Sequence, residues 1–531
     1  MGIAVMRIKS SVIVKALALT ILMALFFSMS GCNKQTVTED SEIILAAGRD
    51  LSPGYKDPYF STVILKTWEP LIAISDNGNL EAKLAESWES NEARTEWLFH
   101  LRPGVSFQDG VPFNADAVVE NFKRYSNMGF RPSSFYGFAI ERVYPGLVKT
   151  EAIGEYTVKL SFKKPVPMLI YRMAGWGSAM FSPKCFNADT GDFTSTAKGT
   201  GPFYIADRKD NEYTVLKRFE GYYGEKAKAK TVRIKVIPSP ETRYSAMKSG
   251  EVHGVIDLGG LTPILARELV KDERFECNAA KSTISHYITL NGRRFPFNDE
   301  RMRMAVNLAI DREKIVKHYF CGFGTPTMSF LNSTNPFTKV YPPYTDPEKA
   351  KKLASEVLQG KRQKVRFLLH QYGVSRYPYK VISEFIQAEL KPLGLDVEIV
   401  MVDNLASRKT MQRGEFDMSI GTRGLPNLDP TWLLHEFFTK DGGMNKSSSF
   451  GYYNPVIEQC FADLDHTYPI EDRSKLYNTI IRQLLIHPAV VPLLEDTNLA
   501  VYDKRLGGYK AITYGITLDK VHWKRKGGDR N

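Results

Sequence analysis

Between residues 42 and 486 the apolar positions switch repeatedly between two periods, and this switching most narrows what the chain can fold into. Residues 96–101 (EWLFHL) alternate, with Trp97, Phe99 and Leu101 on one side, the two-residue period of a half-buried strand. The next stretch, residues 101–124, reads LRPGVSFQDGVPFNADAVVENFKR. Gly104 and Gly110 bracket a turn with Asp109 at its tip. Asn114 is a good helix N-cap. Behind it Ala115, Val118, Val119 and Phe122 recur at i, i+3, i+4 and i+7, the buried stripe of a helix. Asp116 falls in the first turn, where the helix dipole favours an acid. Glu120 and Arg124 are spaced to pair on the wet face. Strand, turn and capped helix account for these residues, and no proton-transfer pair is present. The stretch reads as architecture.

The same rhythm continues. Strands are expected at residues 42–46, 156–162, 231–238, 285–291, 365–370 and 395–402, with a turn into another at 199–205. Helices are expected at 241–250, 299–310, 311–319, 379–393 and 474–486. Asp346-Pro347-Glu348 carries three helix-start signals in a row. Strands alternating with helices predict an α/β architecture, and 531 residues suffice for roughly three domain-sized units.

The first residues differ. Arg7, Lys9 and Lys15 precede an apolar run, 16–29, which as a helix would reach about 21 Å. That falls short of the roughly 30 Å membrane core. A basic start, a short apolar segment and small residues before a cut site predict a secretory signal over residues 1–31. Its removal takes the formal net charge from +12 to +9. No run of five basic residues exists, and an exported chain meets little nucleic acid, so no nucleic-acid partner is expected. The charge fits a general surface bias or an anionic ligand. Cys185, Cys277, Cys321 and Cys460 are far apart, without C-x-x-C; one disulfide or buried free thiols fit equally, and a zinc site does not.

Met29-Ser30-Gly31-Cys32 resembles the lipobox of bacterial lipoproteins. The resemblance implies lipidation of Cys32 and a tether over residues 32–41, two or more acyl chains being enough for stable anchoring. The 101–118 stretch, with WEPLI (68–72), GTGPFYI (199–205), GYYGEKAKAKTVRIKVIP (221–238), MKSGEV (247–252), LNGRRFPFNDERMRMAVNLAIDREKIV (290–316) and IQAELKPLGLDVEI (386–399), resembles the peptide/nickel-type solute-binding proteins of ABC importers, family 5. That family's fold is a two-lobed α/β periplasmic-binding-protein fold with a hinge and an extra subdomain in the large first lobe. Carried over, lobe I would comprise 42–285 plus 498–531, and lobe II 286–497. The implied partners are a small-molecule solute, an ABC permease with its ATPase subunits, and the membrane through the lipid anchor; the receptor is expected to act as a monomer.

The same resemblance bears on the ligand. Peptide-binding members hold the peptide amine with an aspartate three residues before the Asp of a D-P pair. Asp429-Pro430 is present, but Pro426 stands at that place. An ammonium buried without a partner is costly. GTRGLPNLDP (421–430) is closer to the nickel-binding members, in which arginines hold a carboxylate chelator around the metal. Arg131 and Arg423 are the implied carboxylate-holding residues, arginine being suited to bidentate contact. Trp432, Trp176 and Tyr452 are candidates to stack on a ligand, and His435 and His370 are candidate metal ligands. An arginine that nickel-binding members carry four residues before a proline is Ala179 here. A nickel chelate is thus the expected cargo, with a peptide or other small organic solute as the alternative, and no cofactor beyond the lipid. No G-x-S-x-G, P-loop or H-E-x-x-H is present, Thr439 standing where the second histidine would be, so no enzyme is expected.

Overall fold

The computed structural model describes residues 41–51, 64–75, 79–128, 140–256, 259–374, 376–425, 427–448, 450–513 and 515–525. Residues 42–531 form a compact unit apart from residues 1–41. The signal segment, Cys32 and the tether lie outside the described residues, as do Arg131 and Pro426.

A long mixed sheet is its backbone. Ile43–Ala47 lies parallel to both Thr231–Val236 and Gly254–Val255, with Tyr213–Arg218 and Phe203–Lys209 added antiparallel at that edge. At the other edge Gln363–His370 lies parallel to both Leu395–Val402 and Met418–Gly424. Two long antiparallel strands, Phe275–Leu290 and Val490–Asp503, run through the middle and join these two parallel systems. Their pairing slips between Lys281↔Thr497 and Ser285↔Glu495, where residues 282–284 face Asp496 alone. Such a bulge bends a ladder locally.

The sequence pattern anticipates only the last part of the first central strand, which begins ten residues earlier, at Phe275. Residues 275–284 are mostly partly exposed and include Glu276 and Lys281, so they lack the apolar density of a buried strand. Most other expected elements form within a few residues of their expected ends. The Asn114 side chain accepts from the Ala117 amide, capping Ala115–Asn127. Asp346 caps Pro347–Leu358 in the same way.

Arg124 departs from expectation. It is 1% exposed, buried in the core rather than on the wet face beside Glu120. Its guanidinium lies 4.2 Å from the Phe193 ring centroid, with Phe181 and Phe186 close by, in a cation–π setting. The four-residue spacing places Arg124 above Glu120 but says nothing of the aromatic loop that covers it.

The motif residues of the first region knot one corner together. Asp109 accepts from the Ser182 hydroxyl at 2.6 Å and from the Val111 amide. Gln108 donates to the carbonyls of Thr67, Gly201 and Phe203. Buried Glu69 of the WEPLI run accepts from Tyr222 at 2.6 Å and from Thr200 at 3.1 Å, and pairs with Lys83 at 3.0 Å. Three separate motifs thus meet at one carboxylate, and neither Glu69, Thr200 nor Tyr222 lines the cavities described below. All four described cysteines are free thiols. Among the described residues no helix is long and apolar enough to cross a membrane.

Candidate functional site

In sheets with parallel strands, binding groups collect just past the carboxyl ends of the strands. Both parallel systems do this here, and the loops face each other. Past Ile43–Ala47 come Gly48 and Arg49; past Thr231–Val236 come Pro238–Arg243; past Gly254–Val255 come Gly259–Ile264. All three segments contribute lining residues to a cavity of about 810 Å³. Its opposite wall is Tyr319, at the end of the helix Arg312–Tyr319, with Tyr372, Val374 and residues 376–378, which follow the strand ending at His370. A second cavity, about 630 Å³, shares Tyr372 and Tyr377 with the first. It is bordered by His370, Ser407, Arg408, Ser419, Gly421, Arg423 and Tyr287. Together they form a cleft across the sheet, of a size to hold a small-molecule ligand.

Strand alternation builds the second cavity. Met418–Gly424 pairs with the central strand so that Ser419 faces Thr289, Gly421 faces Tyr287 and Arg423 faces Ser285. The two-residue period puts Ser419, Gly421 and Arg423 on one face. Asp403 starts the next helix by accepting from the amides of Leu405 and Ala406, which brings Ser407 and Arg408 over that face.

The charge is one-sided. Arg49, Arg243, Arg376, Arg408 and Arg423 line the cleft, and Glu241 is the one carboxylate among its described lining residues. Arg243 is structural: its guanidinium donates to the carbonyls of Gly260, Ile237 and Pro238. Glu241 accepts from Ser239 at a helix start. Arg376 bonds the Tyr372 hydroxyl. Arg408 and Arg423 have no ion pair among the described residues; Arg423 lies 5.4 Å from the Phe437 ring and beside the Tyr287 hydroxyl. Burial pushes the Tyr287 phenol up, and Arg423 opposes that shift.

Of the residues expected from sequence, Arg423 and His370 meet in this cleft. His370 does so in a form at odds with a metal ligand. Its Nε2 is 2.7 Å from the Ser419 hydroxyl and its Nδ1 is bonded to that of Ser407, so neither nitrogen is open. His435 is exposed on the helix Thr431–Phe438 with its ring edge-on to Phe461, away from the cleft. No group of three or more His, Cys, Asp or Glu residues among the described residues could hold a metal ion. Tyr452 is buried, and its hydroxyl donates to the His487 carbonyl; core packing occupies it. Trp432 carries the Arg142 guanidinium 4.6 Å over its ring. Trp176 lies in the short turn Gly175–Ser178, its side chain outside what is described. Arg408, Ser407 and Ser419 were not singled out from sequence. Their signal is positional: each lies at or just past a strand of the parallel system.

A second set of contacts joins residues 171–172 to residues 337 and 428–429. Arg172 Nε donates to Asp429 Oδ2 at 2.5 Å, joining residues on opposite sides of the central strands. Burial alone would raise the Asp429 carboxyl, but Arg172 and Arg473 hold it below its usual value. The Leu428 amide donates to the Tyr171 carbonyl, and Tyr171 stacks edge-on against Phe337 at 4.9 Å.

An α/β molecule with an arginine-lined cleft across its sheet has room for a small solute. The model of the bacterial extracellular solute-binding proteins, family 5 (middle), matches residues 79–445, and the chain belongs to that family. It is 24% identical over 484 residues to the glutathione-binding protein GsiB of Salmonella typhi, covering 88% of this chain and 91% of that protein. Among solved structures, NikA from Brucella suis in complex with Fe(III)-EDTA is similar at a TM-score of 0.79, with 22% identity, over 91% of this chain and 100% of that one. DppA from Helicobacter pylori in complex with the peptide STSA is similar at 0.72, with 21% identity, over 91% and 98%. The fold is accordingly that of the two-lobed periplasmic binding proteins, and the chain is a binding protein of ABC importers rather than an enzyme.

Proposed function

We propose that this receptor captures an anionic solute, a nickel ion wrapped in a small carboxylate chelator, and delivers it to an ABC permease. The observation that carries this reading is the charge of the cleft: Arg49, Arg376, Arg408 and Arg423 against Glu241, itself bonded to Ser239. Arginines suit carboxylates geometrically, and a free peptide amine would find no available acid among the described lining residues. Arg131 and Arg423 are proposed to hold the chelator, and Trp176 and Trp432 to stack on it. The metal would be held by the chelator.

The division into lobe I (42–285 plus 498–531) and lobe II (286–497) is part of this reading. Three of the hydrophobic cores support it, while another joins Met168 to residues between Tyr287 and Val490. One core holds only residues 68–197 and another only residues 43–65, 203–256 and 500–523. A third holds only residues 288–494. The lobes would close about the bulge at 282–284, and the solute must bind the closed form better than the open one to drive closure. Cys32 would carry the lipid that keeps the receptor at the outer face of the cytoplasmic membrane or in the periplasm.

An anionic peptide is the second reading, supported by the same arginines and by the likeness to a glutathione-binding protein. Native mass spectrometry with elemental analysis of the protein as purified separates the two. Nickel with a small organic mass is the expected result. A peptide mass without metal would overturn the chelate reading in favour of the second.

A further inference from the structure

In the smaller cavity both nitrogens of His370 are engaged by serine hydroxyls, Ser419 at Nε2 and Ser407 at Nδ1. Burial lowers the pKa of this ring, so it is neutral at pH 7. A neutral imidazole has one donor and one acceptor nitrogen. One serine therefore gives its proton to the ring, and the other receives the ring's proton. The receiving serine keeps its own hydroxyl proton. Neither serine has a further partner among the described residues, both border the cavity, and they are only 8% and 4% exposed. A buried O–H without an acceptor is costly, so the site is arranged for an acceptor brought from outside the chain.

The surroundings say what kind. Arg408 adjoins Ser407 on its helix, and Arg423 shares a strand face with Ser419; no Asp or Glu is among the described residues lining this cavity. Between Ser419 and Arg423, a Cβ added at Gly421 would meet nothing within 4 Å, so the floor is open. We infer that this cavity is an oxyanion subsite that seats one carboxylate of the transported solute, with the Ser407–His370–Ser419 chain as its hydroxyl donor and Arg408 and Arg423 as its charge. His370 is then a positioning residue. The inference rests on the reading that the cleft holds the solute, and it adds which group goes where.

Protonation sharpens it. An imidazolium donates through both nitrogens, which frees both serine protons and adds a charge. A bound oxyanion must therefore raise the pKa of His370, and anion affinity must rise as pH falls toward that value. The other charged or titratable groups lining the cavity are Arg408, Arg423 and the phenols of Tyr287, Tyr372, Tyr377 and Tyr379. Arginines and phenols titrate far above neutral pH, which leaves His370 as the responding group.

The test is nitrogen-15 NMR of the intact protein, histidine-labelled, titrated in pH with chloride and then with acetate at equal ionic strength. A higher His370 pKa in acetate is expected. Arg408→Ala should weaken the acetate response roughly tenfold, the loss of a charged hydrogen bond. Gly421→Val fills the floor without touching the ring and should abolish the response while the His370 signals keep their neutral tautomer. Identical titrations in acetate and chloride would overturn the inference, and a response to phosphate but not to acetate would overturn the carboxylate assignment. No nickel enters this experiment, so its failure is distinguishable from failure of the chelate reading.

Discussion

Replacing Arg172 with methionine keeps the aliphatic stem and removes the charge beside Asp429. In the folded protein Asp429 is 3% exposed. Its Oδ1 accepts from the Thr431 amide and hydroxyl, with Tyr477 at 3.4 Å, whereas Oδ2 accepts only from Arg172 among the described residues. Stripping one partner from a buried ion pair typically costs 3–5 kcal/mol. Arg473 still faces the carboxylate, so the lower end, about 3 kcal/mol, is the expected loss. If the two residues meet only when the lobes close, that loss falls on the closed form and weakens solute binding by about a hundredfold, although Arg172 touches no solute. Small-angle scattering with and without solute, alongside calorimetric titration, reads both effects: a larger free protein and a weaker Kd. Asp429→Asn in the same chain removes the stranded charge and should restore much of the loss. Unchanged affinity and unchanged dimensions in Arg172→Met would refute the idea that this pair holds the lobes together.

Other outcomes follow from single sites. Burial pushes His253 down to about 4, and its Nδ1 accepts from the Ile44 amide. Because the unfolded chain takes that proton near 6.5 and the folded chain refuses it until about 4, stability should fall by about 3 kcal/mol as pH drops across that window. Urea unfolding at both ends of the window checks this, and His253→Gln should flatten the slope; an equal slope in the variant would count against it. Gly199→Ala would place a Cβ 2.2 Å from Trp68 Cβ and 2.5 Å from the Thr67 carbonyl, so a loss of more than about 2 kcal/mol is expected from thermal unfolding. Cys185, Cys277, Cys321 and Cys460 are free, and burial pushes Cys277 up to about 11. All four should alkylate in guanidinium without reductant and Cys277 only sluggishly before it; a linked peptide in mass mapping would contradict this.

What the chain discloses before folding depends on how local the cause is. The Asn114 cap and the Asp346-Pro347 start act within four residues, and both were legible. Arg124 was misread because the ring that covers it, Phe193, lies nearly seventy residues downstream. Tyr452 was a candidate to stack on a ligand, yet its hydroxyl is spent on His487 in the core. Arg423 could be found from its loop motif. Ser407 and Ser419 could not, since their meaning exists only once His370 stands between them.

The two central strands have a consequence for dissecting the receptor. Residues 286–497 look, by chain order, like an insertion that could be excised and expressed alone. They are stitched to the rest by one sheet: Phe275–Leu290 and Val490–Asp503 contribute ladder partners on both sides of the bulge. Cutting there would leave each fragment with a raw row of unpaired amides and carbonyls, the kind of border that recruits strands from neighbouring molecules. The halves are therefore expected to be insoluble apart, and a split version of this receptor, built as a reporter for example, would do better broken at a surface loop than at its apparent seam.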